Sequence, residues 1–187
     1  MNLQQAIREV KEDYKQLKRQ DQDRKVTSNF GRIFHPDNLD RLTKEDCKSF
    51  LLIKNNKHWD NIHRYGNIVT RDIDRLRGAL KILVDEKKPL EQRLDHLFPN
   101  GSPNYIKGLG RATITPILLV VYPENYGVYN ARTEEGLNAV RLMPKIGRGN
   151  SLSKRYTEIN EVLKGLAYKN DMSLLQLDVI WWKITRG

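Results

Sequence analysis

Lys107, Gly108, Leu109, Gly110, Arg111, Ala112 and Thr113 form the segment whose types and spacing most directly suggest chemistry. Two glycines around one apolar residue permit a tight turn, and the helix that follows opens with amides lacking intrahelical partners. Those amides and the helix dipole attract a phosphate, with Lys107 and Arg111 beside it. Leu109 would plug the turn into the core. A Gly-x-Gly turn between helices that binds nothing has the same spacing. A second concentration runs from Asn55 to Arg64, where Trp59 stands among Asn56, His58, Asp60, Asn61 and His63. His58 and His63 are off the helical spacing of a metal pair, and His35 and His96 are remote, so no metal is expected. Asp178 interrupts an apolar segment; buried, it needs a partner or acquires a raised pKa and a candidate catalytic role. Facing water is its ordinary alternative. Lys145, Arg148, Lys154 and Arg155 are a phosphate-contact cluster that reads equally as a solvated face.

Helices must position these groups. Residues 3–24 repeat Leu3, Ile7, Val10, Tyr14 and Leu17 at helical spacing. Ser28, Asn29, Gly31 and Pro36 predict a loop, and Thr43 with Asp46 predicts a capping box opening a helix to about Ile53. Thr70 is the expected cap of a helix bearing Ile73, Leu76, Leu80 and Leu83, and Pro89 stands at the start of another reaching Phe98. Two more follow Ser151 and Ser173, over about 152–169 and 173–184, with a short one near 133–140. Pro116 within Ile114–Tyr122 predicts a kink. No segment alternates like an exposed strand. The expected fold class is all-α: one domain with lobes over about 26–98 and 99–150 and a cleft between them, closed by helices 3–24 and 151–184. Soft boundaries fall at 99–103 and 144–150.

Composition narrows the partners. The chain has 187 residues, 33 Lys plus Arg and 23 Asp plus Glu, a formal net charge of +10, and 39% hydrophobic residues. This length can bury a core. The charge is +2 over residues 1–25, +3 over 26–100, zero over 101–140 and +5 over 141–187. Positive charge spread over helices suits a folded surface that meets phosphates, and equally a basic protein with no such partner. One cysteine, Cys47, excludes an internal disulfide and a thiolate-built metal cluster. No apolar run reaches the ~20 residues of a membrane span, and the first residues lack the apolar centre of a signal peptide. A cytoplasmic protein with no membrane partner and no cofactor is expected.

Lys107-Gly108-Leu109-Gly110-Arg111-Ala112-Thr113 resembles the hairpin of the helix-hairpin-helix DNA glycosylases, the endonuclease-III-like enzymes, whose pattern runs L-P-G-V-G-R-K-T-A. The resemblance implies a hairpin that grips the DNA backbone while a base rotates into a pocket between two helical lobes. Gly108, Leu109 and Gly110 match the turn, and Arg111 and Thr113 match the family's Arg and Thr. Ala112 falls where bifunctional members carry a nucleophilic Lys, so no lyase step through that residue is available. The family's Asp just beyond the second helix corresponds to Asn130, within YGVYNAR. An amide positions water but does not stabilise a cation as a carboxylate does. Asn130 is thus a water-positioning residue, the mark of a domain that binds without cutting, or a cap of the following helix. FLLIKNNKHWDNIHR, KILVDEKKPLEQRL, VVYPENYGVYNARTEEGL and LLQLDVIWW, over about 30–184, also resemble a helical domain of prokaryotic proteins of DNA restriction and antiviral defence. That likeness implies modified or foreign DNA, such as phage DNA carrying glucosylated hydroxymethylcytosine.

The expected function is a monofunctional DNA glycosylase acting on double-stranded DNA with a modified or damaged base. Asn130, with Asp60 or Asp178 as carboxylate, would orient water and stabilise the cation. A flipped base needs a flat face and edge partners; Asn56, His58, Trp59, Asn61, His63 and Tyr129 are the candidates. For the cluster around Trp59 the alternative is a helix-to-helix turn with Trp59 in the core, and for Tyr129 it is a core aromatic. Lys107 through Thr113 with Lys145, Arg148 and Lys154 would hold phosphates. The alternatives are a non-catalytic reader of modified DNA and a structural DNA-binding protein.

Overall fold

The computed structural model describes residues 1–15, 17–60, 62–98, 102–147 and 149–186. Leu3–Lys15 forms α1 and Leu17–Phe34 forms α2, followed by a 3₁₀ turn at Pro36–Arg41. Lys44–Leu51 is α3, and the capping box at Thr43 is present: Asp46 N–H donates to Thr43 Oγ1 at 3.0 Å, and Thr43 N–H to Asp46 Oδ2 at 3.0 Å. Then come α4 (Ile53–Asn56), a 3₁₀ turn (His63–Tyr65), α5 (Gly66–Val69), α6 (Ile73–Leu83) and α7 (Leu90–Asp95). The second half holds α8 (Arg111–Val121), α9 (Ala131–Ala139), α10 (Leu152–Lys169) and α11 (Leu174–Arg186). No strand occurs among the described residues, so the protein is all-α.

The middle of the molecule is α8 against α2. Thr113 through Val120 are all buried, which explains why this segment reads as apolar on every side. Pro116 lies inside α8, and the Thr115 hydroxyl donates to the Arg111 carbonyl one turn back at 2.8 Å. Phe30 and Phe34 of α2 meet Phe50 of α3 edge-on, each with ring centroids 5.0 Å apart. The α2–α8 contact joins the segments expected as separate lobes, and one hydrophobic cluster runs through both. The chain ends close on each other: α1 packs on α11, and Lys183 pairs with Asp13 at 3.0 Å and Glu9 at 3.3 Å.

Several boundaries differ from the sequence expectation. Ser28–Gly31 is helix, part of α2, and not loop. Gly31 is there for proximity: a Cβ at this position would stand 2.4 Å from the Val120 carbonyl oxygen of α8. Gly31→Ala must push two helix backbones apart and should destabilise by about 1–3 kcal/mol, measured by urea denaturation. The cap of α6 is Asp72, which accepts the Arg75 N–H at 3.0 Å, whereas the Thr70 hydroxyl donates to the Gly66 carbonyl at 2.7 Å. Helix α7 stops at Asp95, short of Phe98. The soft boundary at 99–103 falls mostly on residues 99–101, outside the described set.

Candidate functional site

The expected hairpin is half present. Gly108 adopts φ +89°, which favours glycine, and a Cβ there would sit tightly, 3.1 Å from the side chains of Tyr65 and Val69. Leu109 is buried as expected, and Thr113 Oγ1 closes the turn onto the Gly108 carbonyl at 3.3 Å. Gly110 caps α8 with no side-chain bond to the first-turn amides. The first arm is missing: residues 102–110 are turns and irregular chain, so the motif is a turn leading into a helix and not two helices around a hairpin. Arg111 is also not poised for phosphate. Its guanidinium pairs with Glu134 of α9 at 2.7 Å and covers the Tyr129 ring at 4.4 Å, held by partners distant in sequence. Lys107, Lys145 and Lys154 are exposed, whereas Arg148 lies outside the described residues.

The three carboxyl and amide candidates do converge. A cleft of about 630 Å³ is bounded by α1, the start of α2, the loop after α4, the start of α9 and one face of α11. Asp60, Asn130 and Asp178 all line it, as do His58 and Trp59. Asn130 is the cap of α9: its Oδ1 accepts the Thr133 N–H at 3.0 Å and the Thr133 hydroxyl at 3.3 Å. Its Nδ2 has no hydrogen-bond partner among the described residues, which leaves a donor available at the cleft. The capping and functional readings of Asn130 are therefore compatible, because they use different atoms.

The loop from Lys57 to Asp60 is built by Asn56. This residue is fully buried; its Oδ1 accepts from the His58 and Trp59 amides at 2.9 and 2.8 Å. Its Nδ2 donates to the Phe50 and Trp59 carbonyls at 2.9 and 3.1 Å. With two bonds at each end, Asn56 has nothing to offer a base edge, and its expected place in a base pocket is corrected to that of a loop anchor. Lys57, at φ 65°, makes the sharp exit from α4 that turns His58 and Trp59 inward.

His58 and Trp59 then reach two different carboxylates. His58 Nε2 and Asp23 Oδ1 share a hydrogen bond of 2.9 Å, and the Tyr14 hydroxyl donates to the other oxygen of the same carboxyl group. Burial, together with Asp23, pushes the Tyr14 phenol far above its ordinary range, so it remains a donor. Trp59 packs against Phe50 with centroids 5.7 Å apart and is 4% exposed, so it does not offer an open face for stacking. Its indole Nε1 donates to Asp178 Oδ2 at 3.1 Å. Burial raises the Asp178 carboxyl to about 6; His58, the Trp59 N–H and Arg132 pull the other way. Asp178 is thus a carboxyl that titrates near neutrality in a cleft wall, fixed by an indole hydrogen bond.

Other expected pocket residues are placed elsewhere. Tyr129 is fully buried and stacks on Tyr156 at 6.1 Å with rings 3° from parallel, so it supports the core beneath α9. His63 is exposed in a 3₁₀ turn away from the cleft, and Asn61 lies outside the described residues. Among the described residues no group of three His, Cys, Asp or Glu is arranged to hold a metal. No helix is long and apolar enough to cross a membrane, again among the described residues.

Sequence reasoning overlooked Asp23, Tyr14, Lys57, Arg132 and Trp182 at or behind this cleft. The first two were hidden in helices of polar composition, where a buried Tyr–Asp pair leaves no local signature. Comparison with known proteins supplies no relative: no protein-family model, no curated protein and no solved structure matches the chain.

Proposed function

We propose that the cleft receives a nucleotide rotated out of DNA and that the protein hydrolyses its N-glycosidic bond with water. The observation that carries this reading is the convergence of Asp178, Asp60 and Asn130 on one cleft beside Lys57 and Arg132. Lys57 and Arg132 line it with no ion-pair partner among the described residues, and they supply charge for flanking phosphates.

In the reaction the bond between C1′ and the base nitrogen breaks, and its electron pair leaves on the base. A water oxygen bonds to C1′ and its proton passes to the Asp178 carboxylate. With a pKa of about 6, that carboxylate is mostly ionised at pH 7 and still basic enough to take the proton. Its negative charge also opposes the positive charge that grows on the sugar. Asn130 Nδ2 donates to the water oxygen and orients it. The turn at Gly108 to Gly110 meets the backbone through the free amides at the start of α8, and Arg111 takes no part. Ala112 offers no nucleophile, so no lyase step runs through that position, and the product of hydrolysis by water is an abasic site.

The test is incubation with unmodified, uracil-containing, alkylated and glucosylated-hydroxymethylcytosine DNA, followed by alkali and a gel. Alkali-dependent breaks on one substrate, weakened in Asn130→Ala, are the expected result. One observation favours a second reading, a non-catalytic reader of modified DNA: Asn130 stands where the resembled enzymes carry a carboxylate. That reading gives modification-dependent binding and no breaks.

A further inference from the structure

Asp178, Trp182 and Arg186 fall at successive fourth positions of α11 and all line the cleft, so they form one stripe along its wall. Trp182 is 42% exposed, although it sits in a helix whose neighbouring Trp181 is 1% exposed. The Arg186 guanidinium lies over one face of the Trp182 ring, 4.6 Å from its centroid, which leaves the opposite face for a ligand. Ile53, 41% exposed, lines the same cleft from α4. Large apolar side chains left open together in a charged cleft indicate a surface that a ligand covers. Lys57 and Arg132 add positive charge with no ion-pair partner among the described residues.

We infer that Trp182 is the platform on which the nucleotide base stacks, on the ring face opposite Arg186, with Ile53 bordering the stack and Lys57 and Arg132 taking the phosphate. The inference rests on the nucleotide reading of the cleft given above and assigns the role that Trp59, buried against Phe50, does not fill. The spacing suits it. Asp178 is about 6 Å from Trp182 along the helix, so a base over the indole leaves its sugar toward the carboxylate. Stacking is tolerant of base identity because every base has a π-face. The platform therefore holds the ring, and selection among bases falls to edge contacts.

Trp181 is 1% exposed, and Trp59, at 4%, lines the same cleft, so the quenching that is lost in Trp182→Ala reports on Trp182, and affinities of all variants are read by calorimetry. The experiment titrates the protein with a single-stranded oligonucleotide, dTMP and inorganic phosphate, in wild type, Trp182→Ala and Trp182→Phe. Oligonucleotide binding is expected to quench the emission, and phosphate alone is not. Trp182→Ala should weaken binding by about 5- to 150-fold with an unchanged melting temperature, while Trp182→Phe retains most of it. Equal affinity in Trp182→Ala, or quenching undiminished by it, overturns the platform while leaving DNA binding intact. Binding of dTMP that depends on Trp182, with no binding of oligonucleotide, keeps the platform and removes the DNA reading. No binding of either nucleotide form overturns both.

Discussion

Asp178→Asn is expected to lower the rate of base release by about 10²- to 10⁴-fold, because it removes both the proton acceptor and the charge facing the sugar. The amide is isosteric and still accepts the Trp59 indole N–H, so the cleft wall keeps its shape. In wild type the rate should fall as pH drops through about 6, where the carboxyl takes up a proton, and this limb should vanish in the variant. Stability should change in the opposite sense. Burial raises the carboxyl from an ordinary 3.8 to about 6, so between these values the folded protein holds a proton that the unfolded chain releases. Stability from this group is therefore greatest below pH 3.8 and declines as pH rises through 6. Above 6 the native state carries a penalty on the order of 2–3 kcal/mol that Asn does not have. Urea denaturation at pH 5 and pH 7.5 should find the inactive variant more stable, and by more at the higher pH.

Trp181→Ala should cost about 3–5 kcal/mol, a large part of the stability of a domain this size. Trp181 is 1% exposed and lies against Gly136 of α9, where a Cβ would come within 2.6 Å of its ring. This contact holds α11 to α9, and hence Asp178 on one wall of the cleft to Asn130 on the other. Loss of activity should accompany loss of stability in Trp181→Ala. Trp182→Ala, at the exposed neighbour, should shift stability by less than about 0.5 kcal/mol. Urea midpoints of the two variants make the comparison.

The sequence expressed its local signals well and its tertiary ones poorly. Thr43 with Asp46, and Ser151, marked helix starts that the structure contains, because a cap is decided within four residues. Gly31 misled for the same reason: locally a glycine breaks helices, and only the Val120 carbonyl across the core explains it inside α2. The turn at Gly108 and the plug at Leu109 were legible from Gly-x-Gly, while the absent first arm was not. Arg111 read as a phosphate ligand because Glu134, its partner, is a whole helix away in sequence. Asp178 was visible as a carboxyl out of place in an apolar helix, and Asp60 and Asn130 were each singled out for separate reasons. Their meeting in one cleft came from the folding of α11 against α9. Trp182 was concealed by its neighbour, since two adjacent tryptophans in an apolar helix give no sign of which one faces outward.

The central claim is hydrolytic release of a base, and its most direct measurement is free base in solution by mass spectrometry, alongside abasic sites in the DNA. The wild-type protein should release one base per abasic site from one modified DNA, with no strand break before alkali and almost no release by Asp178→Asn. Binding to that DNA with no free base from any substrate would contradict hydrolysis and leave the cleft as a reader of the modified nucleotide.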